Sequence, residues 1–250
     1  MEILTLRTIQ ETSLSIKITY KIRNLLSRPL FKVLEGNLGL VLDIGGGSFY
    51  KTLNKSSWEK YFVLEPDFNS LPQNDTVHNV FAISGDASSL PVKEKSVDTV
   101  ILIQVLQFIY EPVQTIREIN RILTTNGRLI IQVPQSGNLH GIPAHYYNFT
   151  RFWLERVLIE NNYKVIDYVP LGGAWRTIAS RLFLMFWPVF KHPYYFDKKF
   201  KKRGAIFWIL SPLSLLISII FFPISMLLSL GDIKEEANNH LIVARKVEFN

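Results

Sequence analysis

The 250-residue sequence predicts an α/β fold: a doubly wound, mostly parallel seven-stranded sheet with a hydrophobic helical insertion before its last strand. Three observations predict it. An apolar run, Leu38 to Ile44, meets a carboxylate at Asp43 and then three glycines, Gly45-Gly46-Gly47. Apolar strand-like runs then alternate with helical patterns as far as Leu171, which argues parallel strands joined by right-handed crossovers. Finally, the segment 172–238 is greasy and aromatic, and such a sheet does not need it.

The elements follow in order. Leu14, Ile18, Ile22, Leu25 and Leu26 recur at helical spacing, with Lys17, Lys21, Arg23 and Arg28 between them. This reads as a basic amphipathic helix broken by Pro29, so residues 1–37 form an N-terminal cap. It either packs beside the sheet or lies on a membrane surface. Leu38–Ile44 is the first strand, apolar without alternation and so buried on both faces. The glycines form the tight turn that leaves it, where backbone N–H groups can approach a ligand with no Cβ in the way. Phe49–Lys60 is then expected as a helix, and Tyr61–Leu64 as a strand ending in Glu65. Asn79–Ile83 is the third strand, followed by Gly85-Asp86-Ala87. Thr99–Val105 is the fourth. A helix starts at Glu111-Pro112, buries Val113, Ile116, Ile119, Ile122 and Leu123, and is expected to close on Asn126-Gly127. Leu129–Val133 is the fifth strand. A polar loop, 135–149, leads to a helix N-capped by Thr150. Tyr163–Val169 and Leu241–Ala244 complete the sheet.

Composition narrows the chemistry. The chain is 48% hydrophobic with a mean hydropathy of +0.14, and 28 Lys+Arg against 21 Asp+Glu give a net charge of +7. That balance suggests an anionic partner surface, nucleic acid or lipid headgroups. With no cysteine, disulfides, thiolate zinc sites and cysteine nucleophiles are excluded. The first residues mix charged and polar groups and do not read as a signal peptide. Three acids, Asp43, Glu65 and Asp86, stand at the ends of three successive strands, on the rim where such folds hold nucleotide-like cofactors. Glu65 follows Gly47 by 18 residues, the place of an acid that takes ribose hydroxyls.

These stretches resemble the class I S-adenosylmethionine-dependent methyltransferases, in particular the type 11 branch. The likeness covers about Leu38 to Leu171 plus Asn239 to Lys246. Val41-Leu42-Asp43-Ile44-Gly45-Gly46-Gly47 is similar to the family's first motif. Gly85-Asp86-Ala87-Ser88-Ser89-Leu90-Pro91 with Ser96-Val97-Asp98 is similar to its adenine-side motif, and Ile116 to Leu123 with Asn126 to Ile131 to the helix and strand that follow. The resemblance implies a Rossmann-like core at 38–171 and 239–248 and S-adenosylmethionine as cofactor. It implies that Gly45, Gly46 and Gly47 pass the methionine part over the backbone with Asp43 near its amino group. Glu65 would hold the ribose, Asp86 and Ala87 the adenine, and Gln104 would border the methyl-transfer site. Two positions depart from the pattern. Phe49 stands where a further glycine is frequent, and Gln107-Phe108 stands where members often show Glu-His. A base, where a hydroxyl acceptor needs one, must then come from elsewhere. His145 with Tyr146 is the candidate catalytic pair, in a segment similar to a His-x-Tyr-x-Phe-Thr-like stretch of the family; loop packing and helix capping are the alternative role. His140 is assigned to packing.

The insertion holds a basic run, Lys198 to Arg203, and then Ala205 to Leu230, 26 residues without a charge. That length could span a bilayer. Both flanking strands belong to one sheet, so the chain must enter and return, and Pro212 and Pro223 are expected to break a continuous helix. A re-entrant hairpin or interfacial helices at the cytoplasmic face, with the basic run on anionic headgroups, is the expectation. A dimer interface or a lid over the core is the alternative. A nucleic-acid partner is not expected, because the run's neighbours are aliphatic. Together these features lead to a methyltransferase, with O-methylation of a lipid-linked or otherwise amphiphilic acceptor at the membrane. A non-catalytic membrane adaptor and a nicotinamide-dependent oxidoreductase remain as alternatives.

Overall fold

A computed structural model describes residues 28–67, 69, 74–137, 141, 143–191 and 205–248. The expected N-terminal helix over Leu14–Leu26, the basic run Lys198–Arg203 and His140 lie outside the described residues. Seven strands form one sheet: β1 (Leu40–Ile44), β2 (Lys60–Glu65), β3 (Val80–Ser84), β4 (Val97–Ile103), β5 (Leu123–Pro134), β6 (Tyr163–Leu171) and β7 (Asn239–Lys246). Their order is β3-β2-β1-β4-β5-β7-β6. The first five are parallel, and β7 runs antiparallel to both β5 and β6. The order reverses beside β1, which puts the glycine turn at the switch point where open α/β sheets bind ligands.

Both sheet faces are covered, as the unbroken apolar strands require. Leu42, Ile44, Leu102, Ile131 and Ile242 face α2 (Pro112–Ile122) and α3 (Arg151–Glu160), which contribute Ile116, Ile119, Leu154 and Leu158. Val41, Val63, Ile101, Ile130 and Leu241 face the other way, against Leu30 of α1 (Arg28–Val33), Tyr50 and Trp58. Helix α3 starts as expected, with Thr150 Oγ1 accepting from the Trp153 N–H at 3.3 Å.

Three local expectations are corrected. Phe49–Lys60 is not a helix; one 3-10 turn, Phe49–Thr52, precedes irregular chain. Asn54 Oδ1 instead takes the Ser56 N–H and hydroxyl at 3.2 and 3.0 Å, the local bonding by which such side chains compete with helix. Asn126-Gly127 does not cap α2, which ends at Ile122 because Leu123 is already paired with Val97 in the sheet. The helix carbonyls find a cation instead. Lys246 Nζ, from β7, donates to Asn120 O and Leu123 O at 2.7 and 2.9 Å, as favours the negative end of a helix. Lastly, β4 begins and ends two residues earlier than expected, stopped by Gln104 at φ +57°.

The insertion is a pair of helices, α4 (Ala174–Lys191) and α5 (Ala205–Leu228), packed on each other. Pro212 and Pro223 do not break α5. Proline removes an N–H and orphans the carbonyl four residues back. For Pro212 that carbonyl belongs to Trp208, and Ser211 Oγ donates to it at 3.0 Å. Leu171 and Pro134 both pair with Asn239. The helix pair therefore leaves from, and returns to, the C-terminal rim of the parallel strands.

Candidate functional site

The site is built on the glycine turn. Gly45 N–H extends the β1–β2 ladder to Leu64 O at 2.7 Å, and the chain then turns, Phe49 N–H donating to Gly46 O at 2.8 Å. Gly45 and Gly47 have φ of +69° and +51°, a region that side chains disfavour. Space forbids side chains as well: a Cβ on Gly45 would come within 2.6 Å of Val105, and one on Gly46 would overlap the Asp43 carboxylate.

Asp43 lies under this turn, fully buried. Tyr61 OH donates to its Oδ2 at 2.6 Å, and its Oδ1 meets no hydrogen-bond partner. Burial pushes its pKa up to about 7 and the nearby Glu65 adds to the rise, while the Tyr61 hydrogen bond opposes it. A buried acid with an unused oxygen is short of a cationic or donor partner. Glu65 ends β2 and accepts from Gly47 N–H at 2.9 Å. Its pKa is raised by burial and lowered in part by that bond. Asp86 stands on the same rim but caps its own turn, taking Ser88 N–H and Oγ at 2.7 and 2.8 Å. Ala87 is buried in the core. Gln104 holds a left-handed backbone, rare outside glycine and frequent at functional sites. Its Nε2 donates to Asn239 Oδ1 at 2.7 Å and its carbonyl accepts from Gln107 Nε2 at 2.9 Å. That ties β4 to the strand that follows the insertion.

The loop after β5 comes over this rim. Tyr146 and Tyr147 N–H groups donate to Gln107 O at 2.9 and 3.3 Å. The His145 ring meets Phe108 edge to face, with centroids 5.5 Å apart, and half-exposed Tyr146 meets Tyr110 in the same way at 5.3 Å. So the structure brings Asp43, Glu65 and the glycines into one cradle. His145 and Tyr146 form an aromatic group around Phe108 and Tyr110. Asp86 lies on the rim engaged with its own turn.

The cradle fits a cationic nucleoside such as S-adenosylmethionine. Its glycines leave bare backbone, Asp43 keeps a free oxygen beneath it, and Glu65 has a second oxygen at the turn. Residues 42–131 match the family model described as a methyltransferase domain. Over those residues the chain carries a methyltransferase domain. No curated protein matches it. Among solved structures, a putative S-adenosylmethionine-dependent methyltransferase from Listeria monocytogenes is similar at 11% identity and a TM-score of 0.54, over 90% of this chain and 100% of that one. A methyltransferase from Mesorhizobium loti is similar at 10% identity and 0.53, over 88% and 98%. The cyclase SpnF is similar at 15% identity and 0.54, over 92% and 81%. At these identities the likeness concerns the fold. The methyltransferase domain sets the nicotinamide alternative aside, and an intact cradle gives the adaptor alternative no support.

Sequence reasoning missed Tyr61 and Val105, which hold Asp43 and close over Gly45. A lone hydroxyl inside the apolar strand 61–64 was the available signal for the first. Nothing in the sequence marked Val105 among its aliphatic neighbours, because its role comes from the chain just beyond β4 passing beside the glycine turn.

Proposed function

We propose that the methyltransferase acts on an oxygen of an amphiphilic, lipid-borne acceptor at the cytoplasmic face of a membrane, with α4 and α5 set into the lipid. The observation that carries this is the inverted burial of α5. Among its described side chains the buried ones are Ser211, Ser218 and Ser225, while Ile209, Leu213, Ile217, Ile220, Ile224 and Leu227 are exposed. Water rewards the opposite arrangement. In hydrocarbon, small residues line helix contacts and aliphatic side chains face outward. Among the described residues this is the one helix long and apolar enough to cross a membrane; its 24 residues span about 36 Å at 1.5 Å each.

S-adenosylmethionine supplies an activated methyl group on a sulfonium. The chain's residues hold the partners in line, and alignment provides much of the acceleration. Asp43 and the glycines would seat the amino-acid end and Glu65 the ribose. Gln104, fixed by Asn239, borders the acceptor side. His145 stands against Phe108, the position where relatives often carry a histidine, and would take the hydroxyl proton. The helix pair overhangs this same rim, so an acceptor held in the bilayer reaches the cofactor without leaving it.

The test is methyl transfer from radiolabelled S-adenosylmethionine into a membrane extract, comparing the full chain with one lacking Ala205–Leu230. Label in the organic phase, lost with the deletion, is expected. Label confined to water-soluble species, or unaffected by the deletion, would overturn the reading.

A further inference from the structure

The root of the helix pair holds polar groups that neither the cofactor cradle nor the 135–149 loop employs. The first turn of α4 is capped from just beyond the end of α5: Asp232 Oδ1 accepts from Trp175 N–H at 2.8 Å and Oδ2 from Arg176 N–H at 3.2 Å. Asp232 is thereby committed to backbone donors. Beside it, Arg176 Nε and Thr177 Oγ1 are both buried with no hydrogen-bond partner. One turn further, exposed Arg181 donates through Nη2 to the carbonyl of Ser136, just beyond β5. Thr177 and Arg181 are four apart and share a helix face. Neither arginine has an ion-pair partner among the described residues, although Arg121, Arg151 and Arg156 each pair with a glutamate on their own helix.

Two guanidinium groups and a hydroxyl, beside a carboxylate already taken by backbone N–H groups, are a chemistry suited to phosphate recognition. The planar fork matches tetrahedral oxyanions, and a buried donor left unmade is costly until an acceptor arrives. The level of the cluster matters too. Beyond Arg181 the α4 sequence is apolar to Phe190, and α5 is apolar outward along its length. With the helices in hydrocarbon, their root lies at headgroup depth, where lipid phosphates are.

We propose that Arg176, Thr177 and Arg181 bind the phosphate of a membrane lipid and hold its headgroup over the methyl-transfer rim. This rests on the membrane reading above and narrows the acceptor to a phosphate-bearing lipid. The Ser136 contact sets the site at the start of the loop that carries His145, so the group beyond the phosphate extends toward the cofactor.

The full chain in neutral detergent micelles is titrated calorimetrically with dihexanoyl phosphatidic acid, inorganic phosphate and dihexanoylglycerol. Expected is binding of the phosphatidic acid at least tenfold tighter than inorganic phosphate, with no heat from dihexanoylglycerol. Arg176→Gln with Arg181→Gln is expected to lose at least tenfold in affinity while still binding S-adenosylmethionine. Arg181→Gln alone, at an exposed position, and Thr177→Val give smaller losses and serve if the double variant misfolds. Unchanged phosphatidic acid affinity in the variants would overturn the site, and equal affinity for inorganic phosphate would overturn the lipid source. Flotation on phosphate-free galactolipid vesicles tests the membrane reading separately: it should persist in the variants, and its absence in the wild type would overturn that reading and, with it, the lipid as source.

Discussion

Replacing Asp43 with asparagine should make the cofactor-free protein more stable at neutral and alkaline pH. The carboxyl is fully buried and its pKa is raised from 3.8 to about 7, chiefly by burial. Below pH 3.8 it is protonated in both folded and unfolded chains and contributes no pH dependence. Between 3.8 and about 7 the folded chain keeps a proton that the unfolded chain has released, so stability falls as pH rises and levels off above about pH 8. A shift of about 3 units at about 1.4 kcal/mol each gives a loss of about 4 kcal/mol across the whole window. About two of those units lie above pH 5, so about 3 kcal/mol of the loss falls between pH 5 and pH 8. An asparagine side chain cannot ionise, and its amide oxygen can still accept from Tyr61 OH. The wild type should therefore lose about 3 kcal/mol relative to Asp43→Asn between pH 5 and pH 8, measured by urea unfolding in detergent with tryptophan fluorescence as the probe. Cofactor binding should run the other way. The ionised Asp43 is the natural partner of a cationic ligand, so affinity for S-adenosylmethionine should rise from pH 6 to pH 8 in the wild type and stay flat in the variant. Parallel stability curves for the two proteins would refute the reasoning, because they would mean that Asp43 is not held protonated by burial.

Two further predictions concern the same rim. Glu65→Gln removes the charged acceptor at the glycine turn and should weaken S-adenosylmethionine binding about 10- to 100-fold by calorimetry, the size expected for a charge-assisted hydrogen bond; an unchanged Kd would remove Glu65 from the cofactor site. His145→Ala should lower kcat about 100-fold or more, within the range for a lost general base, with the KM for S-adenosylmethionine unchanged. Turnover equal to wild type would assign His145 to packing against Phe108.

How much of this was legible in the sequence depends on the kind of residue. Asp43, the glycines and Glu65 could be read in advance because a tight turn after a buried strand admits few residue types, and their spacing is local. Helix α5 was legible as an uncharged apolar stretch, although as one unbroken helix and not the hairpin its prolines suggested. The Phe49–Lys60 helix and the Asn126-Gly127 cap were misread because local propensity lost to contacts made elsewhere. Asn54 bonded its own turn, and Leu123 was taken by the sheet while Lys246, far along the chain, supplied the missing cap. Pro212 was misread because its damage is repaired by Ser211, one residue away, through a side-chain bond that composition does not reveal.

By itself, then, the sequence determined the order of the strands, the glycine turn with its flanking acids and the existence of a greasy insertion, since each follows from periodicity, glycine placement and composition within a short window. Only the tertiary structure decided that the Asp43 carboxylate is buried with one oxygen unmet, and that His145 stands against Phe108. It alone decided that α5 turns its serines inward and its aliphatic side chains outward, and that Arg176 Nε and Thr177 Oγ1 are buried without partners at the root of the helix pair. These are relations between residues far apart in the chain, set by how sheet and helices pack, and burial and unmet hydrogen bonds exist only once that packing is made.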